Sequence, residues 1–261
     1  MKRAPGVQPL AGFGCQYLAK LVNMRILLSF FVRFLLASCS KDTAGPGDSM
    51  LESITVDGKI NERFLYNSDR KLEKFERFAH CTTSPMDEEQ YHYEVGKLVK
   101  ISSVSRSLYS SSFASCDPST GVRNDQVFTY DNQGRLTKVT TANSYRDFYY
   151  NSAGRIEKQV IGGNSQHSYF YEYDARGNVT RYTDNTGMVT QYEYDNKTNP
   201  FYLAKLSPGT LIAFFMSPNN VVKGSGNGTV YFTRQFTYNS NGLPATLIES
   251  TSSTIYTFNY K

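Results

Sequence analysis

One short phrase recurs about every twenty-one residues along this chain: aromatic, any residue, tyrosine, Asp or Asn, two polar residues, glycine, a basic residue, an aliphatic. Its clearest copies run from Phe128 to Leu136, from Phe148 to Ile156 and from Tyr171 to Val179. A fixed period makes the fold a stack of units, because no single unit can bury its own apolar face. Within a copy, Asp131-Asn132-Gln133-Gly134 places Asp first and Gly fourth. That is the pattern of a type I turn followed by a left-handed glycine, a preferred link between two antiparallel strands. The phrase sets architecture and contains no reaction chemistry.

The turn implies a register. Asp131 is expected opposite Arg135, Tyr130 opposite Leu136 and Phe128 opposite Lys138. The same count pairs Tyr150 with Ile156, Phe148 with Lys158, Tyr173 with Val179 and Tyr171 with Arg181. One face of the sheet should then carry aromatic–aliphatic and aromatic–cation pairs, and the other polar and charged ones. Anchor tyrosines fall at Tyr66, Tyr93, Tyr130, Tyr150, Tyr173, Tyr194, Tyr238 and Tyr260. The gap between Tyr194 and Tyr238 is about two periods, so a degenerate copy is expected near Met216, in Phe214–Val221. Links between hairpins, such as Gly162-Gly163-Asn164-Ser165, are also short and turn-like. The expected fold is all-β: an antiparallel up-and-down meander of repeated hairpins, roughly sixteen short strands, curled into a roll or barrel-like sheet over residues 51–261. No helix is expected after residue 50. Pro244 cannot donate to a ladder, so its strand should be an edge or bulged there.

Composition supports strands and qualifies the charge. Tyr (20) and Phe (17) are abundant and Trp is absent, which suits pleated, half-buried surfaces. The net charge of +5 comes from Lys2, Arg3, Lys20, Arg25 and Arg33, which precede the repeat region with no acid among them. The rest of the chain is balanced and has no electrostatic footprint for nucleic acid. Met24-Arg25, an apolar run broken by Arg33, and Ala37-Ser38-Cys39 read as a secretory signal over residues 24–38, too short to span a bilayer. Residues 1–23 are then an extension upstream of the true start, and residues 39–50 a polar, flexible tether. Cys81 and Cys116 close similar phrases, Phe78-Ala79-His80-Cys81 and Phe113-Ala114-Ser115-Cys116, in a chain bound for an oxidising compartment. A disulfide between them is allowed there, with geometry left to decide it.

Leu36-Ala37-Ser38-Cys39 resembles the bacterial lipobox, which implies a lipid on Cys39. The Tyr-Asp-x-x-Gly-Arg-Leu phrase resembles the YD repeat of Rhs shells. Residues 51–261, with Asn199-Pro200-Phe201 and Ser217-Pro218-Asn219-Asn220, are similar to Bacteroidetes-type lipoproteins of unknown function carrying degenerate YD-like repeats. The resemblance implies a β roll or barrel, a membrane partner through the lipid anchor, and a cell-envelope location at the outer membrane, periplasmic or surface-exposed. It implies no catalytic residue.

Candidate sites follow from the register. Phe128, Tyr130, Phe148, Tyr150, Tyr171, Tyr173, Tyr192 and Tyr194, with Lys138, Lys158 and Arg181 beside them, form a ladder that could face a ligand such as an anionic glycan. A buried core of a curled sheet is the plainer reading of the same rings. No nucleophile elbow, zinc-binding helix pair or phosphate loop is present, so no enzyme, metal or cofactor is expected. The functional expectation is a non-catalytic binding or scaffolding module for a glycan or an envelope protein. The alternative is a carbohydrate-binding accessory lipoprotein of a glycan-uptake system.

Overall fold

The computed structural model describes residues 48–261 apart from 79–80, 82–83, 107–115, 118, 120 and 206–211. The leader, Cys39 and most of the tether lie outside the described residues. The first strands are β1 (Leu51–Val56), β2 (Lys59–Tyr66), β3 (Leu72–Arg77), β4 (Asp87–Glu94) and β5 (Lys97–Ser105). They continue as β6 (Val122–Tyr130), β7 (Leu136–Thr140), β8 (Tyr145–Tyr150), β9 (Ile156–Gly162), β10 (His167–Tyr173) and β11 (Val179–Asp184). After β12 (Val189–Thr198) come two short helices, α1 (Pro200–Ala204) and α2 (Ile212–Met216). The last strands are β13 (Asn219–Gly226), β14 (Thr229–Tyr238), β15 (Pro244–Glu249) and β16 (Ile255–Tyr260). Each strand pairs antiparallel with its chain neighbours, and β16 pairs with β1, so the sixteen-strand meander closes into a barrel.

The repeat turns form as their residues dictate. Asp131 N donates to Arg135 O at 2.9 Å and Gly134 N to Asp131 O at 3.0 Å, with Gly134 at φ 79°. The Asp131 carboxylate also accepts from the backbone N–H groups of Gln133 and Arg135, each at 2.9 Å. Asn151, Asp174 and Asn239 build the same turn with Gly154, Gly177 and Gly242. Arg70 stands in the glycine position of the first copy at φ 60°, where a side chain is strained.

Beyond the turn, the register departs from the simple count. Tyr130 faces Leu136 and Tyr150 faces Ile156, as expected, but Phe128 faces Val139, Phe148 faces Gln159 and Tyr171 faces Tyr182. A β-bulge precedes the anchor tyrosine in each of these hairpins, and again at Tyr66, Tyr93, Tyr194 and Tyr238. The bulge sets one extra residue on the second strand, so positions one and four of that strand both point inward and position three points out. Lys138, Lys158 and Arg181 therefore leave the aromatic face and stand on the outer wall. There Lys138 pairs with Asp147 at 3.2 Å and Arg181 with Glu172 at 2.7 Å. Lys158 lies over the outward rings of Tyr149 and Phe170. Lys74 with Glu88, Lys100 with Asp125 and Lys223 with Glu193 continue this charged belt. Pro244 sits opposite Tyr238 at one of the bulges, which removes the need for its missing N–H.

The copy expected near Met216 is absent: Phe214 and Met216 are helical. Tyr194 instead pairs with Val221, and Asp195 Oδ1 accepts from the N–H groups of Lys197 and Asn220 as Asp131 does from its own turn. One repeat turn has thus been opened between Asp195 and Asn220 to admit α1 and α2. Asn199 caps α1 by accepting from Phe201 N at 3.0 Å, and its amide donates to Phe214 O and Ser217 O, tying the helices together. Asn178, which replaces the basic residue after the turn glycine, bonds Asn219 in both directions. Sixteen strands enclose more space than wall side chains can fill. The helices occupy it: Phe201 lies against Phe64 and Phe258, and Phe214 against Tyr192.

Candidate functional site

Three inward layers can be read around the barrel. The anchor tyrosines form the layer nearest the repeat turns. Their hydroxyls donate to the main chain of the preceding repeat: Tyr93 to Leu72 O, Tyr130 to Leu98 O, Tyr150 to Leu136 O, Tyr173 to Ile156 O and Tyr194 to Val179 O, at 2.6–2.8 Å. Tyr66 and Tyr260, on the strands that flank and form the closing seam, donate likewise to Leu51 O of β1 and Pro244 O of β15. Burial pushes these phenols up, Tyr93 to about 12, so they remain donors in ordinary buffers. In the first four repeat hairpins the basic residue after the turn covers the next repeat's tyrosine: Lys71 over Tyr93, Lys97 over Tyr130, Arg135 over Tyr150, Arg155 over Tyr173. This coupling explains why the phrase demands both residues. Tyr150→Phe should lose about 1 kcal/mol of unfolding free energy; an unchanged urea midpoint would contradict that assignment.

Two residues before each anchor lies the second layer, Phe64, Tyr91, Phe128, Phe148, Tyr171, Tyr192, Phe236 and Phe258, most of it buried. Phe128, Phe148 and Tyr171 are core, and Tyr192 is half-buried against Phe214. The ladder proposed from sequence is thus divided. Its aromatics line the interior, Tyr130, Tyr150, Tyr173 and Tyr194 spend their hydroxyls on neighbouring strands, and its cations are outside. The cause is the bulge, which the simple hairpin count omits.

Four residues before each anchor is a third layer, and it varies: Glu62, Glu89, Gln126, Arg146, Tyr169, Thr190, Arg234 and Tyr256. Six of these line a cavity of about 610 Å³ at the end of the barrel away from the repeat turns. Phe201, Phe214 and Phe215 of the helices form its inner boundary. Arg234 pairs with Glu249 at 2.8 Å and lies over Phe214, and Arg77 pairs with Asp87 at 3.0 Å. Glu62, Glu89 and Arg146 have no ion pair within 4 Å among the described residues; Glu89 accepts only from Tyr91 at 2.7 Å. Burial raises the Glu62 carboxyl, with Arg77 opposing, and raises that of Glu89, with Tyr91, Arg77 and Arg146 among the groups opposing. Burial also lowers Arg146. Such partly compensated charges on a concave, aromatic wall are the chemistry of a polar binding site.

These carboxylates have a signature of their own. The folded protein holds their protons above the ordinary value of 4.5, while the unfolded chain releases them. Stability is therefore lost as pH rises from 4.5 through the raised values. Glu62→Gln cannot ionise, so it should gain on the parent protein across that window; a constant difference from pH 4 to pH 8 in thermal melts would oppose this. The layer was legible as the one inward repeat position that does not repeat. The count of inward residues stopped at the aromatic layer and missed it.

Cys81 and Cys116 are joined by a disulfide, with Cα atoms 5.5 Å apart, in the β3–β4 and β5–β6 links at this same end. Among the described residues no cluster of His, Cys, Asp and Glu could hold a metal ion. Residues 173–200, from an anchor tyrosine to the first residue of α1, match the RHS Repeat family. No curated protein matches the chain. Among solved structures, a porin-like protein from Bacteroides uniformis ATCC 8492 aligns at 10% identity and TM-score 0.37, over 82% of this chain and 95% of that one. A porin-like protein from Bacteroides vulgatus ATCC 8482 aligns at 12% identity and TM-score 0.39, over 81% and 99%. The Photorhabdus luminescens Tc holotoxin pore aligns at 12% identity and TM-score 0.32, over 74% of this chain and 9% of the toxin chain.

Proposed function

We propose that this protein is held at the cell envelope by a lipid on Cys39 and that its barrel is a non-catalytic binding or scaffolding module. The ligand enters the cavity lined by Glu62, Glu89, Arg146 and Arg234. The variable third layer carries this reading: the copies repeat an anchor tyrosine and an aromatic two residues before it, while the position that faces this space carries acid, amide, base or ring from copy to copy. The disulfide suits a chain exported to an oxidising compartment. The charged belt on the outer wall suits a barrel standing in water, since such side chains are costly at a lipid face. The second reading, a carbohydrate-binding accessory of a glycan-uptake system, draws on the rings of Phe75, Phe215 and Tyr256, which line the same cavity.

Intact-mass analysis of the protein from its native membrane tests the anchor. A diacylglyceryl-modified chain beginning at Cys39 is expected, and an unmodified chain retaining Met1 would refute it. Thermal shifts with neutral and acidic oligosaccharides test the cavity. Arg146→Ala should remove any shift, and a shift that survives this variant places the ligand elsewhere.

A further inference from the structure

A second cavity, of about 720 Å³, opens at the repeat-turn end of the barrel, on the opposite side of the helices. Its rim carries Arg70, Lys71, Lys97 and Lys205 against a single acid, Asp69. None of these four cations has an ion pair among the described residues. Lys71 and Lys97 are held instead by the ring faces of Tyr93 and Tyr130, with Nζ 5.4 and 5.5 Å from the centroids. Such contacts position an ammonium without neutralising it.

The depth of this cavity has the opposite character. Leu51, Leu98, Leu136 and Ile156 come from the wall, and Leu203 and Met216 from the helices. Tyr66, Tyr93, Tyr130 and Tyr150 also line it, but each hydroxyl already donates to a main-chain carbonyl. A polar ligand entering this depth would lose its bonds to water and find no free donor in return. An alkyl chain would lose nothing. The size lies within the roughly 300–1,000 Å³ of small-molecule sites.

We propose that this cavity binds a long-chain fatty acid, its carboxylate at Lys71 and Lys97 and its tail between the leucine-lined wall and the helices. The site needs neither lipidation of Cys39 nor the cavity at the other end, so its success or failure is separable from theirs. The test is native mass spectrometry and calorimetric titration of the full-length protein and its Cys39→Ser form with palmitate, methyl palmitate and acetate. One palmitate should bind each form, acetate should not bind, and methyl palmitate should bind at least about tenfold more weakly for want of the charged head. Lys71→Glu combined with Lys97→Glu should weaken palmitate by a similar factor. Leu203→Trp, which leaves the rim intact and fills the depth, should abolish binding.

Equal affinity for palmitate and its methyl ester would overturn the proposal. So would undiminished binding by both variants, or no binding by a protein whose melting curve is normal. Binding by the Cys39→Ser form alone would also overturn it, by showing that the protein's own acyl chains fill the space.

Discussion

Phe64→Ala is expected to lower the unfolding free energy by about 3–5 kcal/mol, the usual cost of deleting a buried ring and leaving its cavity. Phe64 has no exposed surface. Its ring lies 5.2 Å from Phe75 in the wall and 6.3 Å from Phe201 in α1, so one side chain joins the barrel to the helices within it. In a domain of this size that loss should lower Tm by roughly 10 °C or more. Phe170→Ala removes the same ring from the outer wall, where it is 47% exposed, and should change stability by less than about 0.5 kcal/mol. Similar losses for the two variants in urea titrations would mean that the barrel interior is not the hydrophobic core.

Asp195→Ala should cost about 2–4 kcal/mol, more than the equivalent change at Asp131, because more buried donors lose their acceptor. Asp131 serves an exposed turn, accepting from Gln133 N, Arg135 N and the Arg135 side chain. Asp195 accepts from Lys197 N, from Asn220 N at 3.1 Å, from the Asn220 amide at 3.0 Å and from the Tyr238 hydroxyl. Asn220 is only 4% exposed, so its freed groups cannot turn to water. Asp195→Asn keeps one acceptor and should fall between. The helices should also loosen, so that limited trypsin digestion cuts faster at Lys205, which is exposed but held in the intact insertion. If Asp195→Ala proves no more damaging than Asp131→Ala, the carboxylate does not hold the base of the insertion.

Much of this architecture could be read from the repeat. The turn residues gave the hairpins, the short links gave the meander, and sixteen strands gave closure a reason. The pairings nearest each turn, Tyr130 with Leu136 and Tyr173 with Val179, followed from turn geometry alone. Two or three residues further on the count failed at the bulge. A bulge has no residue signature as strong as a turn glycine. Yet Leu136-Thr137-Lys138-Val139 and Leu72-Glu73-Lys74-Phe75 both space their inward apolar residues by three, where a regular strand would use two. The helices at 200–216 escaped for a different reason. Five-residue segments show too little periodicity to announce themselves, and a doubled gap between tyrosines looks the same whether it holds a worn repeat or an insertion.

The amino-acid sequence alone determined the repeating unit, its turn chemistry and the all-β class, because these depend on contacts within a few residues of one another. Only the tertiary structure decided which side each lysine takes, what fills the barrel, and which residues gather at its two ends. Those outcomes depend on a one-residue offset in pairing and on closure of β1 against β16, and both are set by how the whole wall fits together.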